Sequence, residues 1–312
     1  MSVHETSQGW QWLLGIGIED AEAPGEAVAP TAWVQIASES LADDLEEIDA
    51  EGMHGARSHN RQRSTTGKHA VGGQVVIDGF RAEIADLLMR MATGDTSPAA
   101  GVYELANTLP TATLVVWRGF KRFTYAGCAC NTLRLESGQA EQALKATLDV
   151  VAMSEATSDV EPEAAYVEEE RILCHKDLSL VAGEDTLRPE RFSLVIDNRI
   201  DADVFRNSAN RLAVPPADRI VSGEATVDWN SVADTVYAAF QENAMAALSA
   251  EWTDGSNGLA ISGDYCQWRG RTPGMTGRGT VTVSIPYQLK ASAAGVNDEI
   301  SVTLTTGEAS AS

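Results

Sequence analysis

Basic side chains are scarce. Across 312 residues, 23 lysines and arginines face 45 acids, a formal charge of −22. Phosphate binding is driven by neutralising cations, so a chain this acidic does not grip nucleic acid with its whole surface. Cysteine is scarce as well. Cys128, Cys130, Cys174 and Cys266 are too few to staple a chain of this length, and no Cys-x-x-Cys pair announces zinc. The expectation is buried, reduced thiols and no metal site. Glycine and proline, 26 and 10 residues, fall short of collagen-like or linker-like shares. No apolar run reaches the ~20 residues of a membrane helix. The first thirty residues hold Glu5, Glu19, Asp20, Glu22 and Glu26, with no basic start and no apolar stretch. They predict no secretory signal and a soluble chain made in a reducing cytoplasm. What is present is a 44% hydrophobic share, enough to fill cores, on a length that suggests about two domains.

Charge is unevenly spread. Residues 38–51 carry Glu39, Asp43, Asp44, Glu46, Glu47, Asp49 and Glu51 without a base. Residues 53–77 carry Arg57, Arg61, Arg63 and Lys68 without an acid. A further acidic stretch runs from Glu155 to Glu170. Such runs are either solvated loops or complementary patches that meet between copies of the chain.

Most of the pattern reads as strand. Residues 111–117, 123–135, 144–150, 191–196, 279–285 and 300–305 are rich in Thr, Val, Leu and Ile, the first two with aromatics. Leu144, Ala146, Leu148 and Val150 alternate with polar residues at the period of a half-buried strand. Ser137-Gly138 reads as a hairpin turn, and Pro286 as the end of its run. Phe80, Ile84, Leu87, Leu88 and Met91 have helical spacing, with Asp78 as expected cap and Gly94 as stop. A second helix is expected from Ser231, with residues 246–252 helix or strand.

A weak internal repeat is visible. Val71, Gly73 and Asp78 precede the first helix as Val221, Gly223 and Asp228 precede the second, each 150 positions on. Two similar β-rich modules follow, 1–165 and 166–312.

Site-like patterns fail on inspection. Arg63-Ser64-Thr65-Thr66-Gly67-Lys68-His69 resembles half a phosphate loop, but Gln62 stands where glycine is required and His69 where Ser or Thr is required. Gly15-Ile16-Gly17 lacks the third glycine of a dinucleotide loop and reads as a bent strand. The acid pairs Asp43-Asp44 and Glu46-Glu47 suit a hydrolase only if a pocket gathers them. Tyr265, Trp268, Arg269, Arg271 and Arg278 suit protein contact better than base stacking in so acidic a chain. No catalytic, cofactor-binding or metal-ligating residue is assigned.

The order of segments resembles the tail tube proteins of long-tailed bacteriophages, in the family with a duplicated tube domain. The resemblance spans about residues 55–305. It rests on Arg63–Lys68 followed by Val71–Val75, and on Tyr125-Ala126-Gly127-Cys128-Ala129-Cys130-Asn131. It rests also on Phe192–Asn198, Arg219–Thr226 and the late strand Gly279–Tyr287. It implies a mainly β fold with a few short helices: two tail-tube-type β-sandwich or barrel modules that assemble into a multi-subunit β-barrel ring. It implies a virion structural protein, made in the host cytoplasm and not an enzyme. Its partners would be itself, as trimeric pseudo-hexameric or hexameric rings that stack, and other tail proteins at the tube ends. DNA would pass through the lumen without specific binding, with no membrane and no cofactor. Arg57, Arg61, Arg63 and Lys68 become candidate contacts between rings or subunits. The alternative is another β-rich tail part, such as a connector, terminator or adhesin.

The implied tube is workable. If each module gives four strands and six modules close a ring, 24 strands tilted by ~40° make a circumference of about 150 Å. The lumen left after side chains is roughly 35–40 Å, against a duplex about 20 Å wide.

Overall fold

The computed structural model describes residues 7–52, 61–139, 142–166, 171–270, 272, 274 and 280–306. Strands β1 (Trp12–Ile18), β2 (Ala32–Val34), β3 (Ser38–Glu39), β4 (Ala42–Asp49) and β5 (Ser64–Asp78) lead into helix α1 (Ala82–Thr93). Then come β6 (Val102–Tyr103), β7 (Ala112–Arg118), β8 (Arg122–Gly138), β9 (Lys145–Val151) and β10 (Ser154–Ser158). The second half holds β11 (Leu178–Ala182), β12 (Asp185–Leu187), β13 (Pro189–Asp197) and β14 (Ile220–Asp228), then α2 (Ser231–Gln241). It ends with β15 (Met245–Thr253), β16 (Gly258–Trp268), β17 (Thr282–Lys290) and β18 (Ser301–Thr305). The protein is mainly β, as expected. All 18 strands join one antiparallel hydrogen-bonded network.

The longest strand, β8, serves two sheets. Its first part pairs with β7 and β10, its second part with β9 and β13. A register shift between Cys130 and Thr132 marks the change, as bulges do where a strand bends. One sheet therefore runs β2–β1–β7–β8–β10. The other runs from the β3/β4 edge through β5, β9, β8, β13, β14 and β17 to β16, which makes eight strands when β3 and β4 share a place.

The second half repeats pairings of the first. Trp12 opposes Arg118 as Leu178 opposes Trp252, and a 3-10 turn precedes each. Strand β2 edges β1 as β12 edges β11. The ladders β7–β8 and β15–β16 each slip by one residue, between Ala112 and Leu114 and between Ala246 and Leu248. One contiguous core, from Leu14 to Leu304, unites the halves.

The local expectations meet mixed outcomes. Ala146, Leu148 and Val150 are buried along β9, and Gly94 ends α1 in the left-handed region at φ 88. Asp78, however, is the last residue of β5, and Arg81 holds the N-cap position of α1 without a side-chain cap. For α2 the cap is Asn230, whose side chain accepts from the amides of Val232 and Ala233. Ser137-Gly138 is not a turn: both residues pair with β13, and the chain reverses only after them. Residues 246–252 form strand, within β15. Pro286 lies inside β17, where its carbonyl accepts from Arg269, so the side that lacks a donor faces away from β14 and the β14–β17 ladder loses no bond. Cys128, Cys130 and Cys266 are buried, and burial pushes the Cys266 thiol up to about 12. Cys174 is half-buried instead, because it caps the surface turn before β11.

Both glycines of the sequence repeat are sterically required. At φ 144, Gly73 lies against the carbonyl of Ser40; Gly223 lies under the Tyr287 ring and against the Ser193 carbonyl. Two of these obstacles are backbone, which cannot swing aside. Gly223→Ala should therefore cost roughly 1–3 kcal/mol by overpacking, read as a fall in thermal midpoint. An unchanged midpoint would contradict this packing.

Candidate functional surface

Alternation gives the eight-stranded sheet two unlike faces. Val75, Ile77, Leu133, Leu135, Leu148, Leu194, Ala225 and Ile285 point into the core. The intervening residues form an open, polar face. On β5, β9, β8, β13, β14 and β17 this face carries six acids (Asp78, Glu136, Asp149, Asp197, Glu224, Asp228) and four bases (Arg134, Lys145, Arg191, Lys290). The balance there, 4 − 6 = −2, is a small part of the chain's −22. Glu136 takes both Arg134 at 2.8 Å and Lys145 at 3.4 Å. A shallow groove of about 220 Å³ crosses the face between β8, β13 and β14, lined in part by Arg134, Glu136, Arg191 and Glu224. It gathers ion-paired side chains on a flat sheet, not a pocket of convergent acids.

The two charge runs meet within the chain. Acidic β4 and basic β5 form one hairpin. His69 Nδ1 lies 2.6 Å from Asp43, and the Ser64 hydroxyl donates to Glu47 at 2.8 Å. Arg63 donates to the carbonyls of Ala50 at 2.9 Å and Glu51 at 2.7 Å, so it braces the hairpin tip. Lys68 sits 4.8 Å from the Phe205 ring centre. Arg61 is exposed beside Arg63 in a short 3-10 turn. Arg57 lies outside the described residues, as do Arg271 and Arg278. The outer part of this ribbon is exposed on both faces and carries Leu45 and Ile48, 49% and 46% accessible. The pairs Asp43-Asp44 and Glu46-Glu47 therefore line a strand that pairs on one side with β5.

Buried charges that composition alone did not mark hold the frame. Glu19 is 5% accessible and accepts four hydrogen bonds, from Thr111, Thr113 and the amides of Gly25 and Gly127. Arg118 binds both oxygens of buried Glu39, the Leu41 carbonyl and the Tyr125 hydroxyl, and stacks over Phe123 at 4.4 Å. Arg211, 8% accessible, donates to the carbonyls of Ala202, Val71 and Ala152. It pins the 198–219 connection of the second half onto β5 and the end of β9. Asn131 completes that junction: it donates to Asp149 at 2.6 Å and accepts from the amide of Ile200. Asn198 reaches the carbonyls of Ala92 and Cys130. The stretch Tyr125–Asn131 thus supplies anchors on both sides of the bend in β8.

The frame is an all-antiparallel sheet with one open polar face and with buried charges that tie loops to strands. The family model described as phage tail tube protein matches residues 9–289, nearly the whole chain. The chain belongs to the phage tail tube protein family, whose members are structural parts of the virion tail. No individually curated protein matches it. Among the described residues no helix is long and apolar enough to cross a membrane.

The junction can be tested directly. Arg211→Met keeps most of the volume but removes three hydrogen bonds to main-chain carbonyls, two of them buried, which should cost about 3 kcal/mol. Limited proteolysis should then cut within 198–219 before the rest of the chain unfolds. A variant as resistant as wild type would remove Arg211 from this role.

Proposed function

We propose that this chain is the repeating subunit of the tail tube, closing into rings that stack into a hollow conduit for DNA. The observation that carries this reading is the eight-stranded sheet with a polar open face, whose β3/β4 end has no outer neighbour among the described residues and whose β16 end runs free of β15 beyond Gln267. An exposed edge is a template for another chain, and head-to-tail pairing of unlike edges generates closed rings.

The chain is read as a duplicated unit, 1–165 and 166–312. Its repeated ladders and matching bulges support this, and each unit then supplies four strands to the shared sheet. Three chains would give the 24 strands that leave a lumen of roughly 35–40 Å, while six would give one more than twice as wide. Three chains therefore fit duplex DNA better. The open face becomes the wall. Its near-neutral charge neither holds phosphate by counterion release nor repels it strongly.

The β4–β5 hairpin is the stacking device. A two-stranded ribbon exposed on both faces is marginal alone, so Leu45 and Ile48 call for a neighbouring ring. Arg61, in the turn before β5, and Arg57, which lies outside the described residues, remain the candidate contacts, while Arg63 is occupied in bracing the hairpin.

Negative-stain microscopy of purified protein should show hollow filaments. Chains that stay monomeric at high concentration would favour the connector or adhesin alternative. Arg57→Glu with Arg61→Glu should leave single rings intact and shorten or abolish tubes. Tubes of normal length from that variant would remove the hairpin tip from stacking.

A further inference from the structure

The internal seam between β8 and β13 specifies the register of the seam between copies. This inference rests on the proposed ring and deepens it. On one side, Ala70 pairs with Asp44 in β4, and Ile220 pairs with Asp197 in β13. Residues 70 and 220 differ by the same 150 positions as the two repeat glycines, so Asp44 and Asp197 hold matching places. On the other side, Gln74 pairs with Asp149 and Glu224 with Pro286, again 150 apart. Asp149 pairs with Thr132, and the amide of Arg269 donates to the carbonyl of Pro286 at 2.7 Å. Thr132 and Arg269 therefore hold matching places too.

Within the chain, Thr132 of β8 pairs with Asp197 of β13. The matching positions, Asp44 and Arg269, are places where the strand has no outer neighbour among the described residues. The β15 ladder on β16 stops at Gln267, so beyond it the strand meets only β17 among the described residues. The β3/β4 edge meets only β5. We propose that Arg269 of one copy stands directly opposite Asp44 of the next, in the arrangement of Thr132 and Asp197.

Charge supports this choice of occupant. Between Gln267 and Val281 the sequence holds Arg269, Arg271 and Arg278 and no acid, whereas β4 holds five acids and no base. Opposite charges across an antiparallel pair stabilise it and like charges destabilise it. Unlike edges also disfavour pairing of two identical edges, which would end growth before a ring closes.

Two experiments on the full-length chain test the register. In a Cys174→Ser background, Asp44→Cys combined with Arg269→Cys should form disulfide-linked oligomers on oxidation of assembled protein. For a three-chain ring the ladder should stop at the covalent trimer, and either single cysteine should give none. Separately, Asp44→Arg and Arg269→Asp should each lower the assembled fraction several-fold in sedimentation, and the two together on one chain should restore it. Wild-type protein that assembles while the double-cysteine chain stays unlinked, or a double reversal no better than the singles, overturns the register alone. Wild-type protein that remains monomeric overturns the ring and the register together.

Discussion

Seven residues of β8, from Thr132 to Gly138, hydrogen-bond to seven of β13, and the rest of the architecture depends on that ladder. It makes one sheet out of two halves. Backbone donors and acceptors must be satisfied wherever water is excluded, so a strand that bends out of one sheet needs a new neighbour where it arrives. β8 meets this by exchanging β7 and β10 for β9 and β13. β16 makes the same exchange on one flank only, passing from β18 to β17. Its other flank is held by β15 as far as Gln267, and the proposed assembly begins beyond that point.

Around the ladder, charge is used as scaffolding more than as chemistry. Glu19, the Arg118–Glu39 pair and Arg211 are each surrounded by the hydrogen bonds that a buried charge requires. Removing one partner from such a set costs far more than the set contributes net, so these residues lock particular loops to particular strands. The open face follows the opposite policy, with exposed, mutually compensating charges.

Much of the fold was legible because alternation is a local signal. Strand β9 buries Ala146, Leu148 and Val150, and the helix after Phe80 stops at Gly94, as the spacing of those residues implies. The resemblance built on Tyr125–Asn131 and the glycine-led strands named the family correctly. What stayed hidden was long-range. Glu19 reads like its exposed neighbours Asp20 and Glu22, because nothing in a linear string shows Thr111 and Gly127 closing over it. The acidic and basic runs read either as solvated loops or as patches that meet between copies, and the string did not show that β4 pairs with β5 in the same chain. Asp78 looked like a cap because good capping chemistry sits there, but the ladder with Lys145 carries the strand through it.

The thiols have a consequence of their own. A thiol reacts with oxidants chiefly as its thiolate, so exposure and ionisation set its fate. Cys128, Cys130 and Cys266 are sealed in the core, and burial holds all three in the protonated form that reacts least with oxidants. Oxidation of these three sulfurs therefore waits on an opening of the core, whereas half-buried Cys174 has no such shelter.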